Sequence, residues 1–382
     1  MFPFKHDHYV PVLRWKRAER VGLGKLAGNV RSQITPLVEL VPIADNTPSK
    51  VADEIKKRWG FDYFFLDFVN LPDAGSSDII ADVSDCLHLQ GIRPILVTGL
   101  TRGLRYQTAV AKTVTANIRG ACIRLYPDDL KSEWLKIHIA DALQGLGLEP
   151  ERVDLVVDYQ LISDFAMPFQ ELCKKLPHLT RWRTFTVLSG AFSKDLREYK
   201  KNAEYTRSRD DWLFWLAHEN TRLERRPTYG DYGIQYALYK EPPARSNPSA
   251  SIRYTSDDYW VIMRGEGLFN DGGPGNAQYG ANALLLSERE EFCGRSFSYG
   301  DQYIDDLGSG FGTGTPETLL RAGTNHHITF VTDQLSKSVS TSIGDVPFLG
   351  QYPNQQSPRA ERRSTRAAYN ARDQLRQTRP IK

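Results

Sequence analysis

The chain has 382 residues, 40% of them apolar and 25% charged, with a formal net charge of +3. That is the make-up of a globular protein with enough chain for one large domain or two ordinary ones. It excludes a polycation and a low-complexity chain. No run approaches the roughly 18 apolar residues of a membrane-spanning helix.

Strand-like and helix-like stretches alternate from the start. YVPVLRWK (9–16) is expected to be a strand, and RAERVGLGKLA after it a short helix. ITPLVELVP (34–42) is the second strand. KVADEIKKRWG (50–60) has helical spacing and a terminal glycine. The series continues with strands at DYFFLDF (62–68), IRPILVTG (92–99), GACIRLY (120–126), VDLVVDYQ (153–160), WRTFTVLSG (182–190) and GDYGIQYALY (230–239). Helical patterns lie between them at 78–91, 107–116, 130–145, 168–176 and 210–218. Eight strands in regular alternation with helices predict a parallel sheet with helices outside. Eight units over about 230 residues favour a closed, TIM-barrel-like (β/α)8 fold over an open doubly wound sheet. No GxGxxG follows the first strand, which weighs against dinucleotide binding.

After residue 240 the rhythm breaks. SIRYT and YWVIMRG around Ser256-Asp257-Asp258 read as an antiparallel hairpin, and 283–293, 296–307 and 316–336 as helices. Thr315-Pro316-Glu317 is a helix start, with a cap, a first-turn proline and an early acid. The expected organisation is a barrel over 1–240, a hairpin plus helical C-terminal extension over 241–345, and a disordered basic tail over 346–382. Residues 358–382 carry eight Lys/Arg against two Asp/Glu, so the rest of the chain sums to −3. Contact with nucleic acid, if any, is expected to be weak and to run through that tail.

The strands hold charges where only apolar residues are expected. Glu39 interrupts LVELV, Asp67 FFLDF, Arg124 CIRLY and Asp158 VVDYQ, each in the later half of its strand. Arg14 and Lys16 hold the matching place in the first strand, and Thr98 and Ser189 in the fourth and seventh. Barrel active sites lie at the C-terminal strand ends, and buried charges need partners. Two readings follow. In one, Glu39, Asp67 and Asp158 are the catalytic groups and hold Mg²⁺ or Mn²⁺, while Arg14, Lys16 and Arg124 bind an anionic, phosphorylated substrate. Metal-assisted phosphodiester hydrolysis is the reaction those groups suit. In the other, the same charges form a buried ion-pair network in a non-catalytic scaffold.

Other motifs say less. Cys86, Cys122, Cys173 and Cys293 form no CxxC pair and read as free thiols of a reducing compartment, not as a zinc site. The adjacent His326 and His327 diverge on a helix, so one metal does not take both, and a packing role is expected. GSGFGTGT (308–315) lacks the lysine of a phosphate-binding loop and reads as a connector. MFPFKHDHYVPV contains no long apolar segment, so no secretory signal is expected.

YVPVLRWKRAE, ITPLVELVP, YGDYGIQ, SIRYTSDDYWVIMRGEG and FSYGDQYI…AGTNHHITFV, in this order over about 9–336, together resemble the phage and bacterial beta protein family. The resemblance implies a microbial or phage source and a cytoplasmic location. It implies no activity. Within phage biology or phage defence, a protein partner is the expectation attached to the scaffold reading.

Overall fold

The computed structural model describes residues 4, 7–43, 46–72, 76–116, 119–219, 221–241, 243 and 246–343. The expected tail over 346–382 lies outside the described residues. Eight parallel strands close into a barrel: β1 (Tyr9–Arg14), β2 (Leu37–Glu39), β3 (Phe65–Asp67), β4 (Ile95–Thr98), β5 (Ala121–Leu125), β6 (Val153–Leu161), β7 (Thr184–Gly190) and, after a detour, β9 (Thr228–Asp231), which pairs with both β7 and β1. The detour holds β8 (Ala203–Ser208) and the helix Asp210–Glu219. Strand β8 joins the expected hairpin, β10 (Ser249–Thr255) and β11 (Tyr259–Gly267), in an antiparallel sheet of order β10-β11-β8. The eighth barrel strand is shorter than the sequence suggested, ending at Asp231.

Alternation sorts the barrel residues. Leu13, Val38, Leu66, Leu96 and Ile123 point out and pack under the helices. Val12, Leu37, Phe65, Val97, Cys122 and Leu188 point in and form a separate apolar cluster, the barrel filling. Below that filling, at the N-terminal strand ends, buried Asp154 is gripped by Arg183 (Nε 3.0 Å) and by the Thr184 hydroxyl (2.7 Å). Above it the inward positions turn charged. The barrel is therefore a stack: an ion pair, an apolar middle, and a charge cluster at the C-terminal ends.

The helix Pro316–Ile343 begins where the sequence placed it, with the Thr315 hydroxyl accepting from the Thr318 N–H at 3.1 Å. It carries Ile328, Val331 and Leu335 into the outer barrel core. Asn325 Nδ2 donates to the Gly22 carbonyl at 3.0 Å, tying this helix to the first barrel helix, Arg17–Leu23.

Gly230 faces inward on β9. A Cβ there would lie 2.1 Å from Leu188 Cδ2 and 2.7 Å from the Val10 carbonyl oxygen. Gly230→Ala is therefore expected to cost about 1–3 kcal/mol by overpacking, measured by urea unfolding. An unchanged midpoint would mean that the barrel interior can yield at this layer.

Candidate functional site

Register sets the level of the charged layer. Arg14 is the Cα partner of Glu39, and Glu39 that of Asp67, so three charges stand in one row across β1, β2 and β3. Arg124 reaches this row from β5 and Asp158 from β6. The Arg124 guanidinium lies at the centre, fully buried. Its Nε donates to Asp158 Oδ2 at 2.9 Å. Its Nη1 donates to Glu39 Oε1 at 2.9 Å and to Asp67 Oδ2 at 2.8 Å. Its Nη2 donates to Asp158 Oδ2 at 2.7 Å and to the Tyr232 hydroxyl at 2.8 Å. A guanidinium has five N–H donors; all five are taken by the protein.

The carboxylates are equally engaged. Asp67 also accepts from Arg102 Nη2 at 3.1 Å, the Tyr106 hydroxyl at 3.3 Å and the Val69 N–H at 2.9 Å. Burial pushes its carboxyl up, but Arg102, Arg124 and these hydrogen bonds outweigh burial and hold it below the usual value. Glu39 accepts from Asn70 Nδ2 at 2.9 Å and lies 3.9 Å from Arg14 Nε. Asp158 accepts from the Tyr232 hydroxyl at 2.5 Å and the Gln160 N–H at 2.8 Å. Gln160 adopts a left-handed backbone conformation, φ 56°.

Arg14 closes the layer from above. Its Nη2 donates to the carbonyls of Tyr236 (2.5 Å) and Ala237 (2.8 Å), which holds the segment after β9 across the barrel end. Lys16 is not part of the layer. It reaches outward to Glu241 at 3.0 Å and over the Tyr239 ring at 5.0 Å. Five of the six residues singled out by sequence thus meet, and Lys16 stands apart. Thr98 and Ser189 do not join the ring: Val97 and Leu188 fill the barrel, so their neighbours face the opposite way. Arg102, Tyr106 and Tyr232 escaped the sequence reading because none lies in a barrel strand: Arg102 is in the loop after β4, Tyr106 on the helix Leu104–Ala116 and Tyr232 just past β9, where strand alternation assigns no face. The three carboxylates surround a fixed guanidinium, so a cation already stands where Mg²⁺ or Mn²⁺ would.

A second polar group lies on the outer side of β9. Asp231 accepts from the hydroxyls of Tyr9 (2.5 Å) and Tyr229 (3.0 Å), the Gly233 N–H (2.9 Å) and His327 Nε2 (3.0 Å). These four donors, His327 among them, outweigh the effect of burial and hold its carboxyl below the usual value. His327 Nδ1 accepts from the Thr255 hydroxyl at 2.8 Å. Burial lowers the His327 pKa, consistent with a neutral ring.

Glu19, on the first barrel helix, is buried and accepts from the Arg14 N–H at 3.2 Å, but its Oε2 has no hydrogen-bond partner. It borders a cavity of about 10 Å³ shared with Tyr232, Gly233 and His327, room for one water. Burial raises its pKa from 4.5 to about 7, with Arg14 pulling the other way.

A closed parallel barrel with its terminal charges paired beneath a cover defines the class: an α/β barrel with a sheet-and-helix extension. Within it, the chain belongs to the beta protein family, whose model matches residues 9–333. No curated protein matches the sequence. Among solved structures it is similar to catalytic domain 2 of the Group II chitinase of Ostrinia furnacalis, at 12% identity over 57% of this chain and 74% of that one, with a TM-score of 0.25. A mutant of that domain in complex with penta-N-acetylchitooctaose gives 10% identity, 59% and 89% coverage, and a TM-score of 0.26. Among the described residues no helix is long and apolar enough to cross a membrane.

Arg124→Leu strands three buried carboxylates and is expected to cost about 3–5 kcal/mol or to prevent folding. Asp158→Asn keeps the hydrogen-bond geometry and is expected to cost less; chemical denaturation of the two side by side checks the order. Glu19 has a raised folded-state pKa, so its contribution is fully present below the unfolded value of 4.5 and is lost as pH rises through about 7. Glu19→Gln removes that loss. Relative to wild type, its melting temperature is expected to gain between pH 5 and pH 8, as read from thermal scans across ~pH 4–8.

Proposed function

We propose that the chain is a non-catalytic binding protein, a scaffold of phage biology or phage defence, and that the cluster around Arg124 holds the barrel together without turning over a substrate. The observation that carries this reading is the saturation of Arg124. All five of its donors end on Glu39, Asp67, Asp158 and Tyr232. An anion arriving at this site finds no free donor on Arg124, and a metal arriving at the carboxylates must displace a buried guanidinium. The protein partner is then met by the loops, the β8–β10–β11 sheet and the C-terminal segment, with the basic 358–382 stretch open to weak nucleic-acid contact.

A second reading has one observation in its favour. Gln160 holds a left-handed conformation that costs a non-glycine residue about 1–3 kcal/mol, beside Asp158 at a C-terminal strand end. Such strain gathers at working sites. In that reading Glu39, Asp67 and Asp158 bind Mg²⁺ or Mn²⁺ after Arg124 swings away. Arg14 and Lys16 then meet a phosphorylated small molecule for phosphodiester hydrolysis.

Thermal unfolding separates the two. Purified full chain is scanned with Mg²⁺, Mn²⁺ and a panel of phosphorylated small molecules, beside Asp67→Asn. The scaffold reading expects no ligand to shift the melting temperature, and Asp67→Asn to lower it by several degrees. A ligand-dependent rise in wild type, absent in Asp67→Asn, overturns it, since only a ligand of the native state stabilises.

A further inference from the structure

The helix Pro316–Ile343 presents His326 and His327 to opposite sides of Thr255. His327 serves the barrel. His326 faces a different set of groups. It stacks on the Tyr254 ring at 3.8 Å between centroids and is fully buried. Its Nε2 lies 2.9 Å from the Thr255 carbonyl oxygen, which only accepts, so Nε2 carries hydrogen. Its Nδ1 lies 2.9 Å from Asp301 Oδ2.

Asp301 has its donors elsewhere. The Ser298 hydroxyl donates to Oδ2 at 2.6 Å and the Tyr254 hydroxyl to Oδ1 at 2.6 Å. In the Nε2–H tautomer a ring lone pair therefore points at a carboxylate oxygen. Two lone pairs do not rest 2.9 Å apart in a buried site without a cation between or beside them. That cation is a second proton or a metal.

A third ligand decides between them. Cys293 comes within reach, so that Sγ, the Asp301 carboxylate oxygen and the His326 ring nitrogen all lie within 4.8 Å of one another. Among the described residues this is the group of three His, Cys, Asp or Glu side chains so placed. Cys293 is half-buried, which leaves a side for an ion to enter and for a fourth ligand. We propose that Cys293, Asp301 and His326 form a binding site for a divalent transition metal of the zinc class.

The chemistry matches. Thiolate, imidazole and carboxylate are the donor set of Zn²⁺, whose bonds of about 2.0–2.3 Å bring such atoms together. The ion with one thiolate and one carboxylate is neutral overall, which suits burial. The outer contacts are those of a ligand set held in place. Metal-bound histidines commonly donate their second N–H to a carbonyl, as His326 does to Thr255. The Tyr254 hydroxyl fixes both other ligands, donating to Asp301 and accepting from the Cys293 N–H at 2.8 Å. The close packing is built in at Gly300, where a Cβ would stand 2.1 Å from the Ala322 carbonyl oxygen. Any larger residue would push Asp301 and its helix Tyr299–Gly308 away from His326. The metal would pin three elements together: the turn at Cys293, the helix of Asp301 and the long helix of His326.

The test uses full-length protein stripped with a chelator and dialysed. Zn²⁺ is titrated by calorimetry, and Co²⁺ by absorption, where a cobalt–thiolate bond gives a charge-transfer band in the near ultraviolet. One equivalent of either ion is expected to bind, with the band present. Cys293→Ser should abolish the band, and His326→Gln should weaken Zn²⁺ binding at least tenfold. Cys173→Ser, a half-buried thiol elsewhere in the fold, should leave both unchanged. Binding without a thiolate band, a band that survives Cys293→Ser, or no binding at all would overturn the site and leave a proton between His326 and Asp301. Far-ultraviolet circular dichroism of each variant separates lost binding from lost folding. None of these readouts depends on Asp67 or on the scaffold reading.

Discussion

The barrel depends on a positive charge that water cannot reach. Placing Arg124 in the interior removes its hydration, a penalty of several kcal/mol even after relaxation. Only a full set of partners offsets it. Those partners come from β2, β3 and β6 and from Tyr232 just past β9, so one side chain fixes the relative height of strands around half the barrel. A slip of one residue in any of these strands would turn its charge to the outer face. The network is better understood as a device for register than as a source of net stability, since buried ion pairs often gain little over apolar packing.

The outer network obeys the same rule with opposite parity. Asp231 follows inward-facing Gly230 and so faces outward, under the long helix. There it gathers Tyr9 and Tyr229 from the barrel wall and His327 from the helix. Thr255 joins both systems: its hydroxyl reaches His327 and its carbonyl reaches His326. Adjacent helical residues diverge by about 100°. That divergence is what lets one dipeptide attach the helix to the barrel with one ring and to the hairpin sheet with the other.

Much of the fold was legible because the barrel strands are apolar and short, with helices between them. The four charges in strands 2, 3, 5 and 6 stood out against that background, and their convergence followed from their common depth. What was missed has physical causes. Strand β8 reads AEYTRS with every second residue exposed, too little apolar surface to register as a strand. Thr98 and Ser189 were misassigned because an offset of one residue reverses the face, and sequence places strand ends no better than that. Asp231 was hidden in YGDYGIQ, where glycines blur the pattern. The set Cys293, Asp301 and His326 has no recognisable spacing; it exists only because the helices Tyr299–Gly308 and Pro316–Ile343 approach to glycine distance at Gly300.

The two charge systems differ in what they leave open, and this bears on function. Around Arg124 every donor is spent and the carboxylates are held by fixed cations, so the layer is chemically closed. Around His326 the Thr255 carbonyl, the Tyr254 hydroxyl and the Ser298 hydroxyl orient the His326 ring and the Asp301 carboxylate. With the barrel mouth closed by its own side chains and the proposed metal site in the extension, the adjustable part of the protein would lie away from the usual place for barrel chemistry. Binding at that extension would change how firmly the long helix is held. Through Thr255 and His327 the change would reach Asp231 and β9, the strand that completes the barrel.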